Sequence, residues 1–272
     1  MLYHDALLVP ISSLSKLREL KEGYRDHPIE KSHSRYGENL VPISNYGLAG
    51  QAYYSRPSAA TGDPVTEVPE SLLLRKSLAE KLADINQRLD DPALTKFFGG
   101  PVELYVEDGH GSFELQKNLY DKVFPHLIWQ QNPLMTDEQR EARLYELIAE
   151  PSNDPDHPSP HLTGGAVDVI LRYKQKTPDY VKGSEVYVGH TEADTSERVL
   201  PDYFELNEPK NGHDKFAQRN RRAFYAIMTG LAMGTPTDLQ VNPTEWWHWS
   251  YGDQMWAKLM YKPAAFYSTA QA

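Results

Sequence analysis

The sequence predicts an α+β fold: one compact domain with a central antiparallel sheet flanked by helices. Leu74, Leu78, Leu82, Ile85 and Leu89 recur at helical spacing, with Arg75, Lys76, Glu80 and Lys81 on the other side, which is the pattern of an amphipathic helix. Val102, Leu104 and Val106 alternate with Glu103, Tyr105 and Glu107, which is the pattern of a half-buried strand. Strands and helices then alternate irregularly along the chain, with no internal repeat and no low-complexity tract.

Taken in order, residues 1–68 are rich in Tyr, Ser, Pro and Gly and alternate poorly, so they read as short strands and loops wrapped on the core of a single domain spanning 1–272. The helix through Leu82 follows, then the strand at Val102, which the turn Asp108-Gly109-His110-Gly111 ends. A helical region begins at Phe113. Another begins at Thr136, where Thr136-Asp137-Glu138-Gln139 is a capping-box sequence ahead of Leu144, Leu147 and Ile148. Pro151 to Pro160 holds four prolines and must be a loop. Ala166 to Tyr173 is β-like. A helix from about Asp214 to Leu231 buries Phe216, Phe224, Ile227, Met228 and Leu231, with Arg219, Arg221 and Arg222 forming a solvated, salt-bridged face. Glu245-Trp246-Trp247-His248-Trp249-Ser250 is β-forming by its aromatic content.

Composition narrows the function. The chain of 272 residues carries 28 Lys+Arg against 38 Asp+Glu, a formal charge of −10, so non-specific nucleic-acid binding is disfavoured. With no cysteine, it has no disulfide framework, no thiolate metal site and no cysteine nucleophile, and any metal must be held by His, Asp or Glu. No apolar run approaches the roughly 18–20 residues that span a bilayer. The N-terminus lacks the pattern of a signal peptide, which points to the cytoplasm; a presequence already removed would place the protein in the periplasm instead.

Chemistry concentrates in two segments. In Ser159-Pro160-His161-Leu162-Thr163-Gly164-Gly165-Ala166-Val167-Asp168, a histidine leaves a proline-rich loop and an aspartate sits inside an apolar strand, where it needs a partner or a cation. A strand-end aspartate capping a loop is the competing reading. In Glu245-Trp246-Trp247-His248-Trp249, the acid and the histidine lie three apart. On an ideal strand they point to opposite sides, so a bulge or a twisted end is needed to bring them together. Otherwise both merely face water from an edge strand. Together, His161, Asp168 and His248 fit a catalytic zinc site of three protein ligands plus water, with Glu245 as the base; His157 competes as a ligand.

These segments resemble the D-alanyl-D-alanine dipeptidases, zinc peptidases of the vancomycin-resistance type. The first matches their Ser-x-His-x-x-Gly-x-Ala-x-Asp motif and the second their Glu-x-x-His motif. Arg219-Asn220-Arg221-Arg222-Ala223-Phe224 resembles the helix that precedes the second motif. The likeness runs from about residue 35 to the C-terminus. It implies zinc held by His161, Asp168 and His248, Glu245 as catalytic base, and a compact α+β domain of the kind shared with D,D-carboxypeptidases and Hedgehog signalling domains. Ser159 belongs to the same motif and is implied to meet a small peptide substrate.

The chain departs from the family pattern twice. Gly111 stands where the family's Asp-Gly-Tyr-Arg-Pro has its oxyanion-stabilising arginine, which leaves His110 or another arginine as the substitute. In the segment whose aspartate meets the substrate's ammonium, Glu192 and Asp194 are the candidates. The implied function is zinc-dependent hydrolysis of D-Ala-D-Ala-like cell-wall fragments. The alternative is a zinc-binding module of the same fold that is catalytically weak and serves binding or regulation.

Overall fold

A five-stranded sheet carries the residues singled out above. The computed structural model describes residues 3–55, 65, 67–189 and 194–270. In chain order the elements are α1 (Tyr3–Ala6), α2 (Ser15–Lys21), β1 (Leu40–Pro42), β2 (Ala49–Gly50), β3 (Leu73–Arg75), α3 (Lys76–Arg88), α4 (Pro92–Phe98), β4 (Val102–Asp108), α5 (Phe113–Asn118), α6 (Phe124–Gln131) and α7 (Asp137–Leu147). Then come β5 (Ala166–Tyr173), α8 (Tyr203–Leu206), α9 (Gly212–Met228), β6 (Gln240–Asn242), β7 (Glu245–Ser250) and α10 (Gln254–Leu259). The main sheet has the order β2-β4-β5-β7-β6, and β1 with β3 forms a separate two-stranded ribbon. The fold is α+β. Among the described residues no helix is long and apolar enough to cross a membrane.

The sheet is antiparallel from β4 to β6, but β2 pairs with β4 in parallel, so the sheet is mixed rather than purely antiparallel. The connection explains the difference: the chain leaves β2 and returns to β4 through the β3–α3–α4 excursion, a crossover long enough to align the two strands in the same direction.

Local patterns map well onto the elements. Leu74, Leu78, Leu82, Ile85 and Leu89 are all at most 1% exposed, and all but the first and last lie on α3. Leu74 is drawn into β3 by pairing with Val41. Thr136 caps α7 with the complete reciprocal capping box: its hydroxyl accepts from the Gln139 N–H, and the Gln139 side chain accepts from the Thr136 N–H.

Four further expectations are corrected. α9 ends at Met228, and Leu231 beyond it is exposed rather than buried. β4 is buried along nearly its whole length rather than half-buried: Tyr105, Glu107 and Asp108 are covered, Tyr105 by the guanidinium of Arg172 3.8 Å from its ring centroid, and only Glu103, paired with that Arg172 at 2.8 Å, stays partly exposed. Residues 1–68 contain the helix α2 as well as strands and loops. Arg221 of α9 is buried rather than solvated and donates to the carbonyls of Val188, Leu200 and Arg198; only Arg222, paired with Glu205 at 2.6 Å, follows the expected ion-pair pattern.

Candidate metal centre

His161, Asp168 and His248 come together through three different local devices. His161 opens a single 3₁₀ turn (His161–Thr163) that ends at Gly164 with φ of 69°, a left-handed conformation. A side chain at Gly164 would be strained by that backbone conformation and would push on Leu40 Cδ2, 2.4 Å from the Cβ position. Asp168 sits on β5, with Asp108 of β4 and His248 of β7 as its cross-strand partners on either side. His248 is brought in by β7.

Strict alternation along β7 would separate Glu245 from His248. Instead the β6–β7 pairing shifts register between Val241 and Asn242. Trp246 and Trp249 consequently pack on Phe224 of α9, while Glu245, Trp247 and His248 all line one cavity. The irregular β6–β7 register thus leaves Glu245 and His248 on the lining of the same cavity.

The donor atoms converge closely. His161 Nε2 lies 3.2 Å from His248 Nδ1 and 3.4 Å from Asp168 Oδ1, and His248 Nδ1 lies 3.0 Å from Asp168 Oδ1. Ligands about 2.0–2.2 Å from a tetrahedral ion are separated by about 3.3–3.6 Å, so this near-equilateral triangle has the size that one small divalent cation needs. Asp168 Oδ1 is also buried, with the two imidazole nitrogens near it but no well-aligned hydrogen bond, a position that a cation would satisfy. The imidazoles are oriented from behind. His161 Nδ1 donates to the Gly109 carbonyl at 2.8 Å, which leaves Nε2 as the lone pair facing the cluster, and His248 Nε2 lies 3.5 Å from Ser250 Oγ. Among the described residues these three form the group that can hold a metal ion.

Without a metal, the charges are strongly perturbed. Burial pulls His161 down, but the carboxylates of Asp168 and Asp108 outweigh it and push the imidazole up to about 10. Burial works against the Asp168 carboxylate too, yet the two histidines hold it well below the usual range. Burial lowers His248. Burial, with Asp168 nearby, raises Glu245 to about 8, against the opposing pull of Lys21 and His161. Asn242 Nδ2 donates to Glu245 Oε2 at 2.7 Å and fixes the acid in place.

The cavity that these groups line, about 90 Å³, admits several waters by the measure under which one needs roughly 10–15 Å³. One wall comes from α5 to α7, including the π turn Leu119–Val123; Pro125 there has no N–H to continue the helical ladder.

Other sequence candidates lie elsewhere. Ser159 is completely buried with its hydroxyl unpartnered and does not line the cavity. His110 is half-buried, with Nε2 3.3 Å from the Ala270 carbonyl. Asp194 accepts from the Ser196 N–H at 2.7 Å. Glu192 lies outside the described residues. His157 is directed to Asp154 at 2.8 Å, away from the cluster. Sequence reasoning passed over several cavity residues, Asp108, Asn242 and Lys21 among them. Asp108 signalled itself only as a strand-end acid before glycine, while Asn242 and Lys21 carried no pattern.

Nitrogen and carboxylate donors converging beside a buried acid that titrates near neutrality are equipment for adding water to a polar bond, and the class is that of a hydrolase. No family model matches the chain. A D-alanyl-D-alanine dipeptidase of Synechocystis sp. is 31% identical over 232 residues, a match covering 81% of this chain and 85% of that protein. The chain belongs to the D-alanyl-D-alanine dipeptidase family.

Proposed function

We propose that the protein is a zinc-dependent dipeptidase that hydrolyses D-Ala-D-Ala-like cell-wall fragments, with His161, Asp168 and His248 as metal ligands and Glu245 as the base. The carrying observation is the donor triangle with sides of 3.2, 3.4 and 3.0 Å beside the buried Glu245. The 31% identity to a protein named for this activity supports the substrate class.

Bound in the triangle, zinc supplies Lewis acidity toward a carbonyl oxygen and brings the pKa of water toward about 7. Glu245 takes a proton from the water that attacks the carbonyl carbon, and it delivers that proton to the leaving nitrogen as the C–N bond breaks. Dipeptide plus water thus yields two amino acids. Asn242 holds Glu245 Oε2, so the acid keeps one orientation through both transfers. Trp247 and the α5–α7 wall limit bulk water around the site and strengthen each charge interaction within it. The small cavity suits a short substrate.

One observation favours the second reading, a zinc-retaining module with weak catalysis: among the described residues, no arginine lines the cavity. Gly111 has room for a side chain, since a Cβ there would meet only Leu115 Cδ2, at 3.6 Å. The deciding experiment measures zinc content and D-alanine release from D-alanyl-D-alanine in one preparation. Stoichiometric zinc with chelator-sensitive release supports the dipeptidase. Stoichiometric zinc without release, restored in Gly111→Arg, supports the module.

A further inference from the structure

Among the lysines and arginines of the described residues, one side chain lines the cavity: Lys21, the last residue of α2. Nearby cations are committed to other partners. Arg18 pairs with Asp202 at 2.8 Å, and Arg143 pairs with Glu146 at 2.5 Å and donates to the Thr195 carbonyl. Lys21 Nζ donates to Thr244 Oγ1 at 2.7 Å and approaches the Glu146 carbonyl at 3.4 Å. An ammonium has three N–H donors, so the geometry leaves one for a ligand.

Four acids, Asp108, Asp168, Glu146 and Glu245, line the same cavity beside His161 and His248. A dipeptide brings its own carboxylate into that field and needs a cation to receive it. Holding Lys21 here has a cost, since burial lowers its pKa, with Glu245 the strongest opposing charge.

The placement selects which substrate oxygen is met. The proton held by Glu245 must reach the leaving nitrogen, and the carboxylate of the leaving residue lies only one carbon beyond that nitrogen's own Cα. A receptor for it must therefore stand on Glu245's side of the donor triangle. Lys21 bonds Thr244, the residue directly before Glu245. The scissile carbonyl oxygen, by contrast, would face the donor triangle rather than Lys21.

We propose that Lys21 is the specificity residue that binds the free C-terminal carboxylate of the substrate, so that cleavage is confined to the peptide bond before a C-terminal residue. The inference rests on the site assignment above. It requires that a ligand with a free carboxylate lose affinity when Lys21 is neutralised, and that a ligand lacking it does not.

The test is calorimetric titration of the zinc-loaded full chain with D-alanine and with D-alaninamide. Wild type is expected to bind D-alanine at least tenfold more tightly than the amide. Lys21→Met should erase that preference by weakening D-alanine binding at least tenfold, and Lys21→Arg should keep it. Lys21→Gln, which retains a donor for Thr244, takes the place of Lys21→Met if the latter does not fold. Equal affinities in wild type, or an unchanged preference in the neutral variants, would overturn the proposal. Turnover of D-alanyl-D-alanine is scored separately: failure to cleave with the Lys21-dependent preference intact sinks the dipeptidase reading alone. Cleavage without that preference sinks the carboxylate assignment alone.

Discussion

Asp168 and His248 face each other as direct cross-strand partners on neighbouring antiparallel strands, with Asp168 Oδ1 3.0 Å from His248 Nδ1. Two of the three donors are thereby set by sheet register, the stiffest positioning device a fold offers, and only His161 depends on a turn. Slipping β7 by one residue against β5 would turn His248 to the Phe224 side and abolish the cluster.

Removing a donor should remove the metal. His161→Ala and Asp168→Ala are expected to drop bound zinc from one per chain to near zero by elemental analysis. In the wild type, zinc at about 100 times its Kd should stabilise the fold by about 2.7 kcal/mol, an increment both variants lose. A variant that keeps stoichiometric zinc would exclude its residue from the ligand set.

Replacing Glu245 should separate chemistry from metal binding. Glu245→Gln keeps the shape and a partner for Asn242, so zinc content is expected to stay at the wild-type level. Turnover of D-alanyl-D-alanine should fall about 10²–10⁴-fold, the usual contribution of a positioned acid–base group. Loss of zinc in this variant would identify Glu245 as a ligand instead.

Zinc affinity should rise with pH. In the metal-free protein His161 is protonated up to about 10, so binding must displace its proton. Between about pH 7 and 9 the affinity should climb about tenfold per unit, read by chelator competition. Stability of the metal-free protein should move the other way. His161 is raised in the fold, so its contribution is complete below its ordinary imidazole range and is lost as pH rises toward about 10. Glu245 is likewise raised, so it favours the fold below the ordinary carboxylate range and loses that contribution as pH rises through about 8. Melting temperatures without zinc should therefore decline from pH 5 to 9. Glu245→Gln should decline less.

Arg221 should matter for stability rather than catalysis. It is 3% exposed and donates to three backbone carbonyls that bind together the segments around Val188 and Leu200. Arg221→Met leaves those acceptors unsatisfied and should cost about 2–4 kcal/mol in urea denaturation, with zinc content unchanged. A smaller loss would mean that water replaces the guanidinium.

Local chemistry alone was enough for much of the fold and part of the site. The apolar stripe of α3, the capping box at Thr136 and the prolines between Pro151 and Pro160 act on neighbours within a few residues, so their outcome could be read from spacing. The same holds for β5 and β7 as strands, and for the residue types that suit a divalent cation. Tertiary structure decided what lies between distant segments. It set the pairing of Asp168 with His248 and the register shift that turns Glu245 into their cavity. It also set the Gly109 carbonyl behind His161 and the reach of Lys21 to Thr244. These depend on which surfaces bury each other when the chain closes, and a contact between residues 21 and 244 leaves no periodic trace in either stretch of sequence.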